Sequence, residues 1–234
     1  IFFRDQSLTP GSLTTIARRF GKIGYYPFVK GMEEFPEVVE VAKKHDEKIN
    51  FGGLWHTDTS YLERPPLGSL LYAKEVPAVG GDTLFSNMYL AYDALSDGMK
   101  RLLSGLRAVN SAEKPDAAVT RVHRIADRPN DTSAIVTTVA HPIVRTHPET
   151  GRKALYCSNA HCTEIHGLTA EESRPLLEYL YSVQQREEFQ CRFHWQQGSL
   201  AMWDNRCAQH NALNDYHGHN RTMYRVTLEG DCPS

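Results

Sequence analysis

Apolar positions along this chain alternate between two spacings. After Thr9-Pro10, residues Leu13, Ile16, Ala17 and Phe20 recur at intervals of three and four, which predicts a helix with one buried face. Thr9 is its N-cap and Pro10 its first helical residue, where a missing N–H costs nothing; Gly21 marks its end. The same reasoning predicts two short helices over 87–95 and 96–103, the second capped by Ser96 and closed by Gly105. Thr169-Ala170-Glu171-Glu172 reads as a capping box that starts the longest helix, running to about Glu188, with Leu176, Leu177, Leu180 and Tyr181 on one face. Shorter apolar runs predict strands over 70–73, 143–146, 154–158, 191–195, 200–203 and 223–228. Strands at irregular spacing with helices in patches point to an α+β domain rather than a doubly wound sheet. Residues 111–138 are polar and irregular, and read as a long loop or lid.

Composition narrows the function classes. A chain of 234 residues fits one large domain, here 1–234 as a single unit. It is long enough to bury a core without staples. Net charge is -2, with both signs interspersed and no basic tract, so nucleic acid is not an expected partner. No apolar run is long enough to span a membrane. Five scattered cysteines without a Cys-x-x-Cys suit free thiols in a reducing, cytoplasmic setting. Ile1-Phe2-Phe3 reads as strand, and the absence of an initiator Met is expected if the numbering starts inside a longer protein.

Chemistry concentrates in two places. Trp55-His56-Thr57-Asp58 puts an imidazole and a carboxylate on one face of an extended segment. Trp203-Asp204-Asn205-Arg206-Cys207-Ala208-Gln209-His210 offers a second imidazole far along the chain. Two imidazoles and one carboxylate are the donor set that holds Fe(II) on one side and leaves the other side open. The bland alternative for His56 and Asp58 is an ordinary hydrogen-bonded pair. His217-Gly218-His219 is a competing pair, but its neighbours read as an exposed loop; His141 and His147 lie in a strand-like stretch.

Further segments give the pattern a context: Val76-Pro77-Ala78-Val79-Gly80-Gly81-Asp82-Thr83, His141-Pro142-Ile143-Val144-Arg145-Thr146-His147-Pro148, Gly151-Arg152-Lys153-Ala154-Leu155 and the pair Arg221/Arg225. In this order and spacing the chain resembles the taurine/2-oxoglutarate dioxygenase family, which also includes phenoxyacetate and alkylsulfate dioxygenases. The resemblance implies a double-stranded β-helix (jelly roll) with flanking helices. It implies His56, Asp58 and His210 as Fe(II) ligands and catalytic centre. It implies Arg221 and Thr83 as contacts of the cosubstrate 2-oxoglutarate, whose far carboxylate suits the planar donor fork of arginine. Trp203 matches an aromatic beside the iron and cosubstrate. The reaction implied consumes O2, turns 2-oxoglutarate into succinate and CO2, and hydroxylates or oxidatively cleaves a small substrate. Family members often form dimers or tetramers.

Arg225 lies on the same strand face as Arg221 and matches a position that meets the anionic group of a substrate, with a structural ion pair as its other reading. The taurine enzyme has a His and a Tyr where this chain has Tyr26 and Val29, an Asn where it has Gly52, and a Phe where it has His161. Taurine's contacts are thereby mostly lost, while these positions still line the expected substrate pocket. The rival readings are a non-catalytic jelly-roll protein that binds a metal or small anion, and a zinc hydrolase using the same ligands.

Overall fold

The structure, a computed structural model, describes residues 1–119 and 137–234. Its elements run β1 (Phe2–Phe3), α1 (Pro10–Ala17), β2 (Ile23–Gly24), β3 (Val39–Lys43), β4 (Gly68–Glu75), β5 (Thr83–Asn87), α2 (Met88–Asp93), α3 (Asp97–Leu103), β6 (Arg107–Ser111) and α4 (Pro115–Ala118). They continue with β7 (Thr138–Pro142), β8 (Val144–Thr146), β9 (Lys153–Leu155), β10 (Cys162–Ile165), α5 (Ala170–Gln184), β11 (Gln190–Phe193), β12 (Leu200–Asp204), β13 (Ala208–Ala212) and β14 (Arg221–Leu228). The architecture is mixed α and β.

The largest sheet has the order β1-β12-β4-β14-β2, with β3 also pairing with β14. A second sheet, β11-β5-β13, faces its centre; β10-β6-β7 and the hairpin β8-β9 complete the set. Strand β14 shows how the period of two divides the interior. Val226 and Leu228 join Leu13 and Ala17 of α1 in one core, with Tyr224 packed against it. Met223 instead meets Phe85, Trp195 and Trp203 in the core between the two sheets, the side to which Arg221 and Arg225 also belong by alternation. A third core packs α5 and α2 on β6, β9 and β10 through Leu177, Leu180, Ala91 and Leu155.

Most predicted elements are present, with shifted ends. Thr9 caps α1 through a reciprocal capping box with Ser12, but the helix stops at Ala17, and Phe20, in the turn beyond it, is half exposed. Helix α5 begins at its capping box and ends at Gln184, followed by a 3-10 turn at Glu187–Phe189. The strand expected over 143–146 is β8, which starts at Val144; Ile143, whose N–H bonds the Leu106 carbonyl, separates it from β7. The strand expected over 154–158 ends at Leu155. The loop expected over 111–138 is ordered at both ends, in β6, α4 and β7; its middle, 120–136, lies outside the described residues.

Candidate active site

His56 lies in no regular strand; it is fixed by an isolated bridge to β13. His56 N–H bonds the His210 carbonyl at 3.0 Å and His210 N–H bonds the His56 carbonyl at 2.9 Å. The two rings therefore meet, with centroids 4.1 Å apart. Two residues on, Asp58 turns to the same point: its Oδ1 is 3.5 Å from His56 Nε2 and 3.7 Å from His210 Nε2. Nitrogen and oxygen donors sit about 2.1 Å from a divalent ion such as zinc, and hence about 3–4 Å from each other, so this donor set fits one ion. All three side chains are buried. Thr59, immediately after Asp58, has a φ of 41°, a left-handed conformation that a β-branched residue adopts only where its surroundings enforce it.

Each ligand is aimed by a neighbour. His56 Nδ1 lies 2.6 Å from the Leu54 carbonyl, which only accepts, so Nδ1 carries the proton and Nε2 keeps its lone pair for a metal. Asp58 Oδ2 accepts from Ser69 Oγ at 2.8 Å and Asn205 Nδ2 at 3.3 Å, and pairs with Arg225 Nη2 at 2.8 Å. Three donors on one oxygen leave the other, Oδ1, to face the imidazoles. Burial pushes the Asp58 carboxyl up, but Arg225 and the two histidines outweigh it and hold it well below the usual carboxylate range. Gly52 closes the back of His56: with φ of 77°, a Cβ there would lie 3.1 Å from His56 Cε1. Trp203 donates to Asn205 Oδ1 at 2.9 Å and packs its ring 4.7 Å from that of His210, so it touches the ligand set through two neighbours.

Further along the same face of β14, Arg221 is 6% exposed, and its Nε and Nη2 have no hydrogen-bond partner among the described residues. Its guanidinium lies 5.7 Å from the Trp195 ring. Trp195 Nε1 donates to Thr83 Oγ1 at 2.9 Å. The Thr83 hydroxyl is thus already an acceptor, with its proton left to donate. Arg221 and Thr83 together fit a carboxylate: two planar donors, one hydroxyl and, among the described residues, no competing acid within ion-pair distance.

The cleft on this side is walled by Tyr26, Phe51, Tyr61, His161, Gly52 and Arg225, and His56 and Asp58 also line it. His161 stands edge-on to Tyr61 at 5.0 Å and to His56 at 6.2 Å. Arg225 lies 5.5 Å from the Tyr26 ring. Val29 lines an adjoining recess with Tyr26, Phe51 and Arg225, outside the main cleft. A second grouping, His147, Asp204 and Cys207, has donor atoms close enough for a metal. Its carboxylate is already neutralised by Arg206, 2.6 Å from Nη2 and 2.9 Å from Nε, and His147 hydrogen-bonds the same carboxylate at 3.1 Å. His217 and His219 are exposed in a turn.

Residues 1–227 match the family model described as taurine catabolism dioxygenase TauD, TfdA family. The chain belongs to the TauD/TfdA family. It is 33% identical to the alpha-ketoglutarate-dependent sulfonate dioxygenase of Saccharomyces cerevisiae, with all of this chain and 58% of that protein covered. Identity to the alpha-ketoglutarate-dependent sulfate ester dioxygenase of Pseudomonas putida is also 33%, over all of this chain and 77% of that protein. The chain thus spans about six tenths of the fungal relatives it matches. Among solved structures, a taurine dioxygenase from Burkholderia xenovorans superimposes with a TM-score of 0.81 at 34% identity, over 99% of this chain and 76% of that one. The structure of AAD-2 in complex with Mn(II) and N-oxalylglycine gives 0.79 at 28% identity, over 99% of this chain and 82% of that one.

Around these TauD/TfdA residues, sequence reasoning missed Ser69, Trp195, Tyr61 and Phe51. Ser69 sits in an apolar strand, Gly68-Ser69-Leu70-Leu71, where its only signal is a hydroxyl on the inward face. Asn205 lies in the segment from Trp203 to His210, and its bond to Asp58 gives it a role that the segment alone does not show.

Proposed function

We propose that this protein is an Fe(II)- and 2-oxoglutarate-dependent dioxygenase that hydroxylates, or oxidatively cleaves, a small anionic organic substrate with release of succinate and CO2. The scaffold fits a double-stranded β-helix, with the site held between its two facing sheets. One observation carries the reading: two imidazole nitrogens and a single carboxylate oxygen converge, while the other carboxylate oxygen is fully engaged. That arrangement supports a three-ligand metal face rather than a closed structural site.

His56, Asp58 and His210 would hold Fe(II), which when bound supplies the O2-dependent oxidation that side chains cannot perform. Arg221 and Thr83 would take the far carboxylate of 2-oxoglutarate and so fix its orientation toward the metal ligands. Trp203 would hold His210 and Asn205 in place. Arg225, in the wall of the cleft, would bind the anionic group of the substrate while still touching Asp58. Tyr26, Phe51, Tyr61 and His161 would pack its apolar or aromatic body and exclude water, with Gly52 and Gly53 adding no side chain to the cleft. Among the described residues of that wall the sole carboxylate is Asp58, so nothing there matches the ammonium of taurine. Sulfonates, sulfate esters and 2,4-dichlorophenoxyacetate, named for the relatives, share an anion on a carbon skeleton.

The test is succinate release from anaerobically prepared Fe(II) protein given O2 and 2-oxoglutarate. Alkylsulfonates, alkylsulfates, aryloxy acids and amino acids form the substrate panel, with Asp58→Ala as blank. Succinate above the blank, stimulated by one anionic class, is expected. No succinate from iron-loaded protein would favour the non-catalytic binding protein.

A further inference from the structure

We propose that Lys43 is a second cation for the far carboxylate of 2-oxoglutarate, acting beside Arg221; this rests on the cosubstrate reading above. Lys43 is the last residue of β3, and in the antiparallel pairing with β14 it stands directly opposite Arg221. Opposed residues of such a pair project from the same face, with their Cα atoms about 5 Å apart. Lys43 is 2% exposed, and its Nζ has no hydrogen-bond acceptor among the described residues. Its one close companion is the Tyr216 ring, 4.2 Å from Nζ. The same ring borders Arg221. A Cβ on Gly81 would lie 3.3 Å from Tyr216 Cδ1 and 3.3 Å from Arg221 Cδ, so these groups enclose a common space that Gly81 leaves clear.

Two buried cations on neighbouring strands, neither with a carboxylate of the described residues in ion-pair range, form an arrangement that folding alone disfavours. Lysine is almost never fully buried unless paired, and an uncompensated buried charge is costly. The nearby acids are engaged elsewhere: Asp82 by Arg192 at 2.6 Å and His194 at 2.8 Å, and Glu47 by the Lys44 N–H at 2.5 Å. Burial lowers the affinity of the Lys43 amine for its proton, a cost that an incoming anion removes. A carboxylate has about four lone-pair sites. Arg221 Nε and Nη2, the Thr83 hydroxyl and the Lys43 ammonium are four donors of matching number. Tyr216 then acts as the platform that holds the ammonium in place before the ligand arrives.

The experiment is calorimetric titration of Mn(II)-loaded protein with 2-oxoglutarate and with 2-oxopentanoate, which keeps the chelating head and lacks the far carboxylate. Lys43→Met, matched in stem length, is expected to weaken 2-oxoglutarate by about tenfold or more, the scale of one hydrogen bond to a charged group, and to leave 2-oxopentanoate unchanged. Lys43→Arg is expected to restore most of the loss. Equal affinity of wild type and Lys43→Met for 2-oxoglutarate would overturn the proposal and leave Lys43 as a packed cation on Tyr216. Equal weakening of both ligands would also overturn it, since distortion of the site would then be the cause. Failure of the wild type to bind 2-oxoglutarate at all would instead strike the cosubstrate reading itself.

Discussion

Arg221 and Arg225 are the same residue type on one strand face, four residues apart and equally buried at 6% exposure. Their surroundings are opposite. Arg225 pairs with Asp58 at 2.8 Å and lies beside Ser69, at 3.5 Å from its hydroxyl. Among the described residues Arg221 has no carboxylate within ion-pair distance, and its Nε and Nη2 lack partners, whereas on Arg225 only Nε does. One arginine completes an internal charge balance; the other meets no carboxylate among the described residues. Burial removes roughly the same hydration from both, so the difference must reside in what each awaits. A satisfied cation stabilises the scaffold, whereas an unsatisfied one stores binding energy for a ligand.

That contrast fails if the two positions respond alike to the same substitution. Arg225→Met leaves Asp58 buried with only its two neutral donors. Removing one partner of a buried ion pair costs about 3–5 kcal/mol, and the lower end is expected here because Ser69 and Asn205 remain. Urea unfolding of the metal-free protein measures it. Saturating Mn(II) should recover most of the loss, since a bound cation takes over the neutralisation. An unchanged unfolding midpoint without metal would mean that the Arg225–Asp58 pair contributes nothing to the scaffold.

Arg221→Met should act in the other direction on stability. It removes a buried cation that has no partner, so the ligand-free protein should be as stable as wild type or more stable, by on the order of 1 kcal/mol. Its cost should appear in binding: about 10- to 100-fold weaker 2-oxoglutarate, the value of a lost charge-assisted contact. Titration of the Mn(II)-loaded variant reads this directly. A variant destabilised as much as Arg225→Met would show that Arg221 has a structural partner and would remove the basis for the contrast.

The difference between the two arginines is only partly legible in the sequence. Alternation along the strand puts both on one face, and a motif match distinguishes their roles. Nothing in the residues from Arg221 to Arg225 shows that Asp58 reaches one of them and not the other, because Asp58 arrives from a loop tied to β13 by the His56–His210 bridge. The metal donors were legible because chemistry restricts them to few residue types at a tight local spacing. Their supports were not: a serine in an apolar strand and a lysine at a strand end carry no local pattern, and their partners lie in distant segments. Helix starts were legible for the same local reason, since the Thr9 and Thr169 caps act within one turn. Helix ends were less so, because where a chain leaves the core depends on what it was packed against, as the exposure of Phe20 shows.

The finest distinction lies within the satisfied half of the site. Ser69 and Asn205 both donate to Asp58 Oδ2, yet Ser69 is nearer, 2.8 Å against 3.3 Å. With Arg225 in place, loss of either leaves the carboxylate charge paired but less firmly aimed, so the effect belongs to the metal rather than to the fold. Substituting such a support of a metal ligand typically weakens metal binding by about 10- to 100-fold. Ser69→Ala is expected at the lower end of that range, with a stability change of about 1 kcal/mol, and Ser69→Thr should recover binding because it restores the hydroxyl. Mn(II) titration followed by electron paramagnetic resonance separates the two quantities from catalysis. If Ser69→Ala bound Mn(II) as tightly as wild type, Arg225 and Asn205 would be sufficient to aim Asp58. The two arginines would then differ only in charge balance and not in the orientation each imposes.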